Sequence, residues 1–203
     1  FPQITTTKIH LDPRFPISRK MALNVGIKSA HYECMVFTST DAVPQTDRWL
    51  SLMAKGFMRG EIVVGYCGVE RGKGFANYMM RAWRMMHSVD WISSAVCGRP
   101  YRGMRQNYGF TKRLYFGANG FSHLNMNIGE DDLFMSRIIA PGNVSVVLSP
   151  RATLREKSWG GLKWWIGTQR FFGGAIPFYP LWVKNFIQWE LGSRIIFWLA
   201  AIV

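Results

Sequence analysis

The stretch from Ser18 to Asp41 constrains the fold of this chain more than any other. Ala22, Leu23, Gly26, Ile27 and Ala30 recur at spacings of three and four, with Arg19, Lys20, Asn24 and Lys28 among them. That period predicts a helix with one apolar face. The run Cys34-Met35-Val36-Phe37 follows, too short for a helix and read as a buried strand that ends in Thr38-Ser39-Thr40-Asp41. A helix feeding a buried strand is the repeating unit of α/β architecture, and in open α/β sheets ligands gather outside the C-terminal strand ends. Asp41 therefore stands where chemistry is expected.

The alternation continues. Pro44-Gln45-Thr46-Asp47 precedes a second helix, Arg48 to Phe57, and Glu61 to Tyr66 reads as a strand. Asn77 to His87 is a Met-rich, aromatic-rich helix carrying Arg81 and Arg84. Gly98 to Gly109 is a basic, glycine-punctuated loop. The acidic cluster Glu130-Asp131-Asp132 heads a helix from Leu133 to Ile139, and Val144 to Leu148 reads as another strand. After Ser158 the composition shifts, with six of the nine Trp at 159, 164, 165, 182, 189 and 198.

Composition excludes several classes. With 48% hydrophobic residues the chain is no disordered basic tail, although 25 Lys and Arg against 12 Asp and Glu leave a net charge of +13. Three cysteines, at 34, 67 and 97, make neither a disulfide framework nor a C-x-x-C zinc site and read as reduced thiols. The four histidines show no metalloprotease spacing, no G-x-S-x-G elbow occurs, and Gly72-Lys73-Gly74 lacks phosphate-loop spacing.

Because carboxylates are scarce, their positions inform. One acid suffices to cap a helix start, whereas three neighbours repel one another and raise the proton affinity of at least one. A carboxyl tuned in that direction serves as a general base, so Glu130, Asp131 and Asp132 are the catalytic candidates. Asp41 is a candidate ligand for Mg²⁺ or Mn²⁺, which take single carboxylates together with phosphate oxygens. Trp159, Trp164 and Trp165 offer flat faces on which sugar rings lie, and core or interface packing is the competing use of such aromatics.

These motifs, in this order, resemble the family 2 glycosyltransferases, membrane-associated enzymes of the GT-A type in the cellulose-synthase-like superfamily. The likeness runs from about Arg19 to Arg170. It rests on Ser18-Arg19-Lys20-Met21-Ala22-Leu23-Asn24, the strand ending in TSTDAVP, the loop GRPYRGMRQN, the GEDDLF motif, and Trp164-Trp165-Ile166-Gly167-Thr168-Gln169-Arg170. The resemblance implies an α/β fold, a GT-A-like partial mixed sheet flanked by helices, over residues 1–172. It implies an inverting hexosyl transfer from a nucleotide-sugar donor to a glycan or lipid-linked acceptor, with a divalent cation as cofactor. By it, Asp41 is the metal-binding Asp of a D-x-D pattern whose first position is Ser39. Asp131 is the base, with the register open by one residue. Lys20, Gln169 and Arg170 serve the donor, and the loop with Asn107 serves the acceptor. Phe171-Phe172 stands where the family has Arg-Trp.

The C-terminal part, residues 173–203, is expected to leave the catalytic domain. Trp182, Val183, Phe186, Ile187 and Trp189 repeat at near-helical spacing in Leu181–Leu191, which predicts an interfacial helix in the headgroup plane. Arg194 borders the run from Ile195 to Val203, read as the start of a transmembrane helix. The expectation is a piece of a longer chain, lacking its first nucleotide-binding unit, with membrane lipids as partners at the cytoplasmic side of an inner membrane. A basic nucleic-acid-binding module is the rival reading, from the Arg and aromatic residues interleaved between Arg81 and Arg113, and it is disfavoured by the apolar tail. A catalytically inactive transferase-like scaffold is a third.

Overall fold

The computed structural model describes residues 5–9, 19–121, 130–157 and 161–202, and its core is a mixed sheet of four strands in the order β1-β5-β3-β6. These are β1 (Cys34–Phe37), β3 (Ile62–Gly65), β5 (Tyr108–Thr111) and β6 (Val144–Val147). β5 runs antiparallel to β1 and β3, and β6 runs parallel to β3, so β1, β3 and β6 all point the same way. Each of the three leads on, β6 by way of a 3-10 turn at Pro150–Ala152, into a second sheet of β2 (Ala42–Pro44), β4 (Cys67–Val69) and β7 (Leu154–Glu156), ordered β2-β7-β4. The C-terminal ends of three parallel strands therefore meet at one junction, with Asp41 between β1 and β2 and Tyr66 between β3 and β4.

Helices cover the sheets: α1 (Arg19–Ser29), α2 (Trp49–Gly56), α3 (Phe75–Val96), α4 (Lys112–Gly117), α5 (Glu130–Ile138), α6 (Leu162–Gly173) and α7 (Leu181–Ile202). Ile62, Val63 and Val64 are fully buried, as the apolar run predicted for a strand covered on both faces. Phe110, Tyr115, Phe121 and Phe134 stack around the β5 end of the core with ring centroids 5.0 to 5.8 Å apart. An α/β fold of mixed sheets flanked by helices is thus what the sequence builds.

Two elements depart from the sequence reading. The Asn77–His87 helix extends to 22 residues, because its buried stripe Asn77, Met80, Arg84, Ser88, Trp91 and Ala95 continues the three-four spacing past His87. The C-terminal region forms one continuous helix, α7, in which an interfacial segment and a membrane start were expected. Lys184, Glu190 and Arg194 interrupt its apolar surface, and among the described residues no helix is long and apolar enough to cross a membrane. The transmembrane start is therefore unsupported. α7 packs back on the domain: Val183 is buried, Tyr101 packs edge-on against Phe186 at 5.8 Å, and Arg194 Nη2 bridges to Asp90 of α3 at 2.7 Å.

Candidate functional site

The junction of the two sheets is pinned by one side chain. Asn107 is fully buried; its Nδ2 donates to the carbonyls of Tyr66 at 2.9 Å and Ala152 at 3.0 Å, and its Oδ1 accepts from Trp49 Nε1 at 2.9 Å. These bonds tie the end of β3, the start of α2 and the turn before β7 to one another, so Asn107 holds the junction together. Gly65 admits it closely, since a Cβ there would meet Asn107 Nδ2 at 2.6 Å.

Asp41 follows directly, half-buried in the turn that carries β1 into β2. Its carbonyl accepts from Lys157 N at 3.0 Å, and Ala42 pairs with Glu156 across the small sheet. Burial pushes the nearby Cys67 thiol up to about 12, and the negative charges of Glu156 and Asp41 add to that against Arg84 and Arg155. The Oγ of Ser39, two residues before Asp41, is buried and has no hydrogen-bond partner among the described residues. Hydroxyl and carboxylate oxygens are hard donors of the kind that Mg²⁺ accepts. Among the described residues no group of three or more His, Cys, Asp or Glu could hold a metal unaided.

The acidic cluster lies at the start of α5. The side chains of Glu130 and Asp131 are outside the described residues, as are Trp159 and the side chain of Trp164. Asp132 is described and buried. Its Oδ2 lies 2.8 Å from Arg102 Nη2 and accepts from Tyr179 Oη at 2.5 Å, while its Oδ1 accepts from Arg102 Nε at 3.2 Å. Both carboxylate oxygens are thus bound by groups of the basic loop and of the segment leading into α7. Burial opposes the charge of Arg102, but Asp132 outweighs it and holds the guanidinium protonated far above the working range. Burial and Asp132 together hold the Tyr179 phenol well above its ordinary value.

The chain of contacts runs on from Arg102. Its Nη1 is 2.7 Å from His87 Nε2, which accepts as a neutral imidazole. Burial lowers His87 to about 3, and the cations Arg102, Arg84 and Arg194 push in the same direction. The ring stacks on Trp83 at 5.0 Å, and Trp83 meets Trp165 of α6 edge-on at 6.2 Å. One turn along α6 stands Gln169. The Nε1 of Trp165 and the Nε2 of Gln169 are both buried without a hydrogen-bond partner among the described residues. Two such donors on one helix face carry a desolvation cost that an incoming acceptor group would offset.

The candidates are therefore only partly gathered. The start of α5 and the Trp165–Gln169 face of α6 are linked through α3, and Arg84 on the same helix reaches Glu156, opposite Ala42 and hence beside Asp41. Arg170 is exposed on α6. Lys20 lies elsewhere, in a cavity of about 630 Å³ between α1 and α4 with Asn24, Lys28 and Tyr115, whose lining includes no other candidate. Sequence reasoning missed Glu156, bound by Arg84 Nη2 at 2.9 Å and Gln106 Nε2 at 3.1 Å. The scarcity argument could have found it, because Glu156 is the only acid between Asp132 and Glu190. No known family model matches the chain, and no curated protein is significantly similar to it.

Proposed function

We propose that the chain is the catalytic part of an inverting, nucleotide-sugar-dependent glycosyltransferase that acts on a glycan or lipid-linked hydroxyl at a membrane surface. The observation that carries this reading is the continuous contact chain Asp132–Arg102–His87–Trp83–Trp165, which couples the helix start holding Asp131 to the helix face holding Gln169. It supports a role for Asp132 as the anchor that fixes the first turn of α5, which leaves Asp131 as the base removing the acceptor hydroxyl's proton. On the other side, Asp41 with the Ser39 hydroxyl would hold a divalent cation. When bound, that cation neutralises charge on a diphosphate leaving group. Gln169 and Arg170 supply further donors to the same oxygens. In-line attack from a single base, with no covalent intermediate, inverts the anomeric centre.

The surface of α7 supports the membrane part of the reading. Trp189, Ile196 and Phe197 are 79, 67 and 65% exposed, with Lys184 and Arg194 on the same helix. Exposed apolar side chains of this kind can enter a headgroup layer, and a net charge of +13 draws the domain to anionic lipid. The test is nucleotide-sugar turnover by the intact protein. Asp131→Asn is expected to abolish transfer while nucleotide-sugar binding and the melting curve stay as in wild type. Undiminished turnover by that variant overturns the proposal.

A further inference from the structure

A second cleft, of about 340 Å³, opens between α3 and the small sheet, in which β4 is an edge strand. Arg81, Met85 and Tyr78 line it from the helix, and Tyr66 and Arg155 from the sheet. Gly68 makes room at its base: a Cβ there would lie 3.1 Å from Tyr66 Oη and 3.4 Å from Arg155 Nη1, so both polar groups converge over a position without a side chain. Arg84 stands close by, 3% exposed, with Nη2 on Glu156 and a buried Nη1 that has no hydrogen-bond partner among the described residues. The Nε of Arg81 is likewise buried and without one. All three guanidinium groups act on the Tyr66 phenol. Glu156, shared by Arg84 and Gln106, is the carboxylate facing them, so positive charge is in excess.

Buried guanidinium donors without acceptors are costly, and the planar fork of arginine matches tetrahedral oxyanions. We propose that this cleft is a binding site for a phosphate-class anion, held by Arg81, Arg155 and the Tyr66 hydroxyl over Gly68, with Arg84 behind them. No residue assigned to sugar transfer lines the cleft, so the site stands or falls independently of that reading. Tyr78 and Met85, 63 and 56% exposed beside the arginines, suit either a soluble diphosphate or the phosphate of a lipid headgroup.

The experiment has two probes. Inorganic pyrophosphate is titrated calorimetrically, and phosphatidylcholine vesicles with and without phosphatidic acid are used for cosedimentation. Wild type, Arg81→Gln, Arg155→Gln and Gly68→Ala are compared, the last retaining every charge. Loss of one charge-assisted hydrogen bond corresponds to about tenfold in affinity, so Arg81→Gln and Arg155→Gln are each expected to weaken binding by about that factor, and Gly68→Ala is expected to weaken it by occupying the space between Tyr66 Oη and Arg155 Nη1, all with an unchanged melting curve. Variant-sensitive binding of pyrophosphate identifies a soluble ligand, and variant-sensitive binding of the acidic vesicles alone identifies a headgroup. Failure of both probes to bind, or binding that all three variants keep at wild-type strength, overturns the proposal.

Discussion

His87 offers the sharpest test of the buried network, because its protonation is set by the packing of α3, the basic loop and α7 together. In the folded protein its Nε2 accepts from Arg102, its ring stacks on Trp83, and burial with three surrounding arginines lowers it from 6.5 to about 3. The unfolded chain thus takes up this proton first as pH falls. Stability from the neutral imidazole is complete above about pH 6.5 and drains away as pH drops toward 3. Between pH 7 and pH 5 the single proton is worth about 2 kcal/mol, at about 1.4 kcal/mol per pH unit below the unfolded value.

The assay is urea unfolding at pH 7 and pH 5 for wild type and His87→Gln, whose amide oxygen still accepts from Arg102. Over that interval wild type is expected to lose about 2 kcal/mol more stability than the variant. Burial raises Asp90 and Glu190, and the charge of Asp90 adds to the rise at Glu190, which favours the folded state on acidification. They do so equally in both proteins and cancel in the comparison. Equal changes in the two proteins would refute the assignment of a neutral His87 bound to Arg102.

Two further perturbations test other parts of the structure. Asp41→Ala is expected to remove Mn²⁺-dependent nucleotide binding, measured calorimetrically with and without the ion, and equal affinity in all four titrations would count against a cation at the β1 end. Gly109→Ala places a Cβ 2.5 Å from Met35 O and 2.9 Å from Phe57 Cζ, and overpacking against backbone should cost about 3 kcal/mol or more in urea unfolding. The contrasting Gly167→Ala, mid-helix with nothing within 4 Å, is expected to stabilise by about 0.5–1 kcal/mol.

Periodicity made the local elements legible. α1, β1, α2, β3 and β6 fall within a residue or two of their expected limits, because each carries its own apolar period and a turn signal at its end. β5 was hidden inside a basic loop: Tyr108-Gly109-Phe110-Thr111 has only two large apolar residues, and its strand character comes from pairing with β1 on one side and β3 on the other. The junction was equally hidden, since the three-fold crossing from large to small sheet is a long-range property. Asn107 reads as an acceptor residue in sequence because nothing local shows that Trp49, Tyr66 and Ala152 surround it. Asp132 and Tyr179 lie 47 positions apart, and no spacing rule joins them.

What the sequence expressed as a bulk property, a large positive charge with few acids, acquires a spatial meaning in the fold. Glu156 and Asp132 sit inside the protein, each against an arginine that would be too costly to bury alone. Asp90 and Glu190 hold Arg194 and so fasten α7 to α3, and Glu61 meets Arg113 at the surface. Acids committed to internal arginines cannot screen the exterior, so the excess of +13 is expressed where solvent and ligands approach. A field of that sign concentrates anions at the surface. The pairing of the buried acids and the charge of the surface are thus two aspects of one distribution, and Arg84, which ties α3 to Glu156, stands beside the α3 cleft.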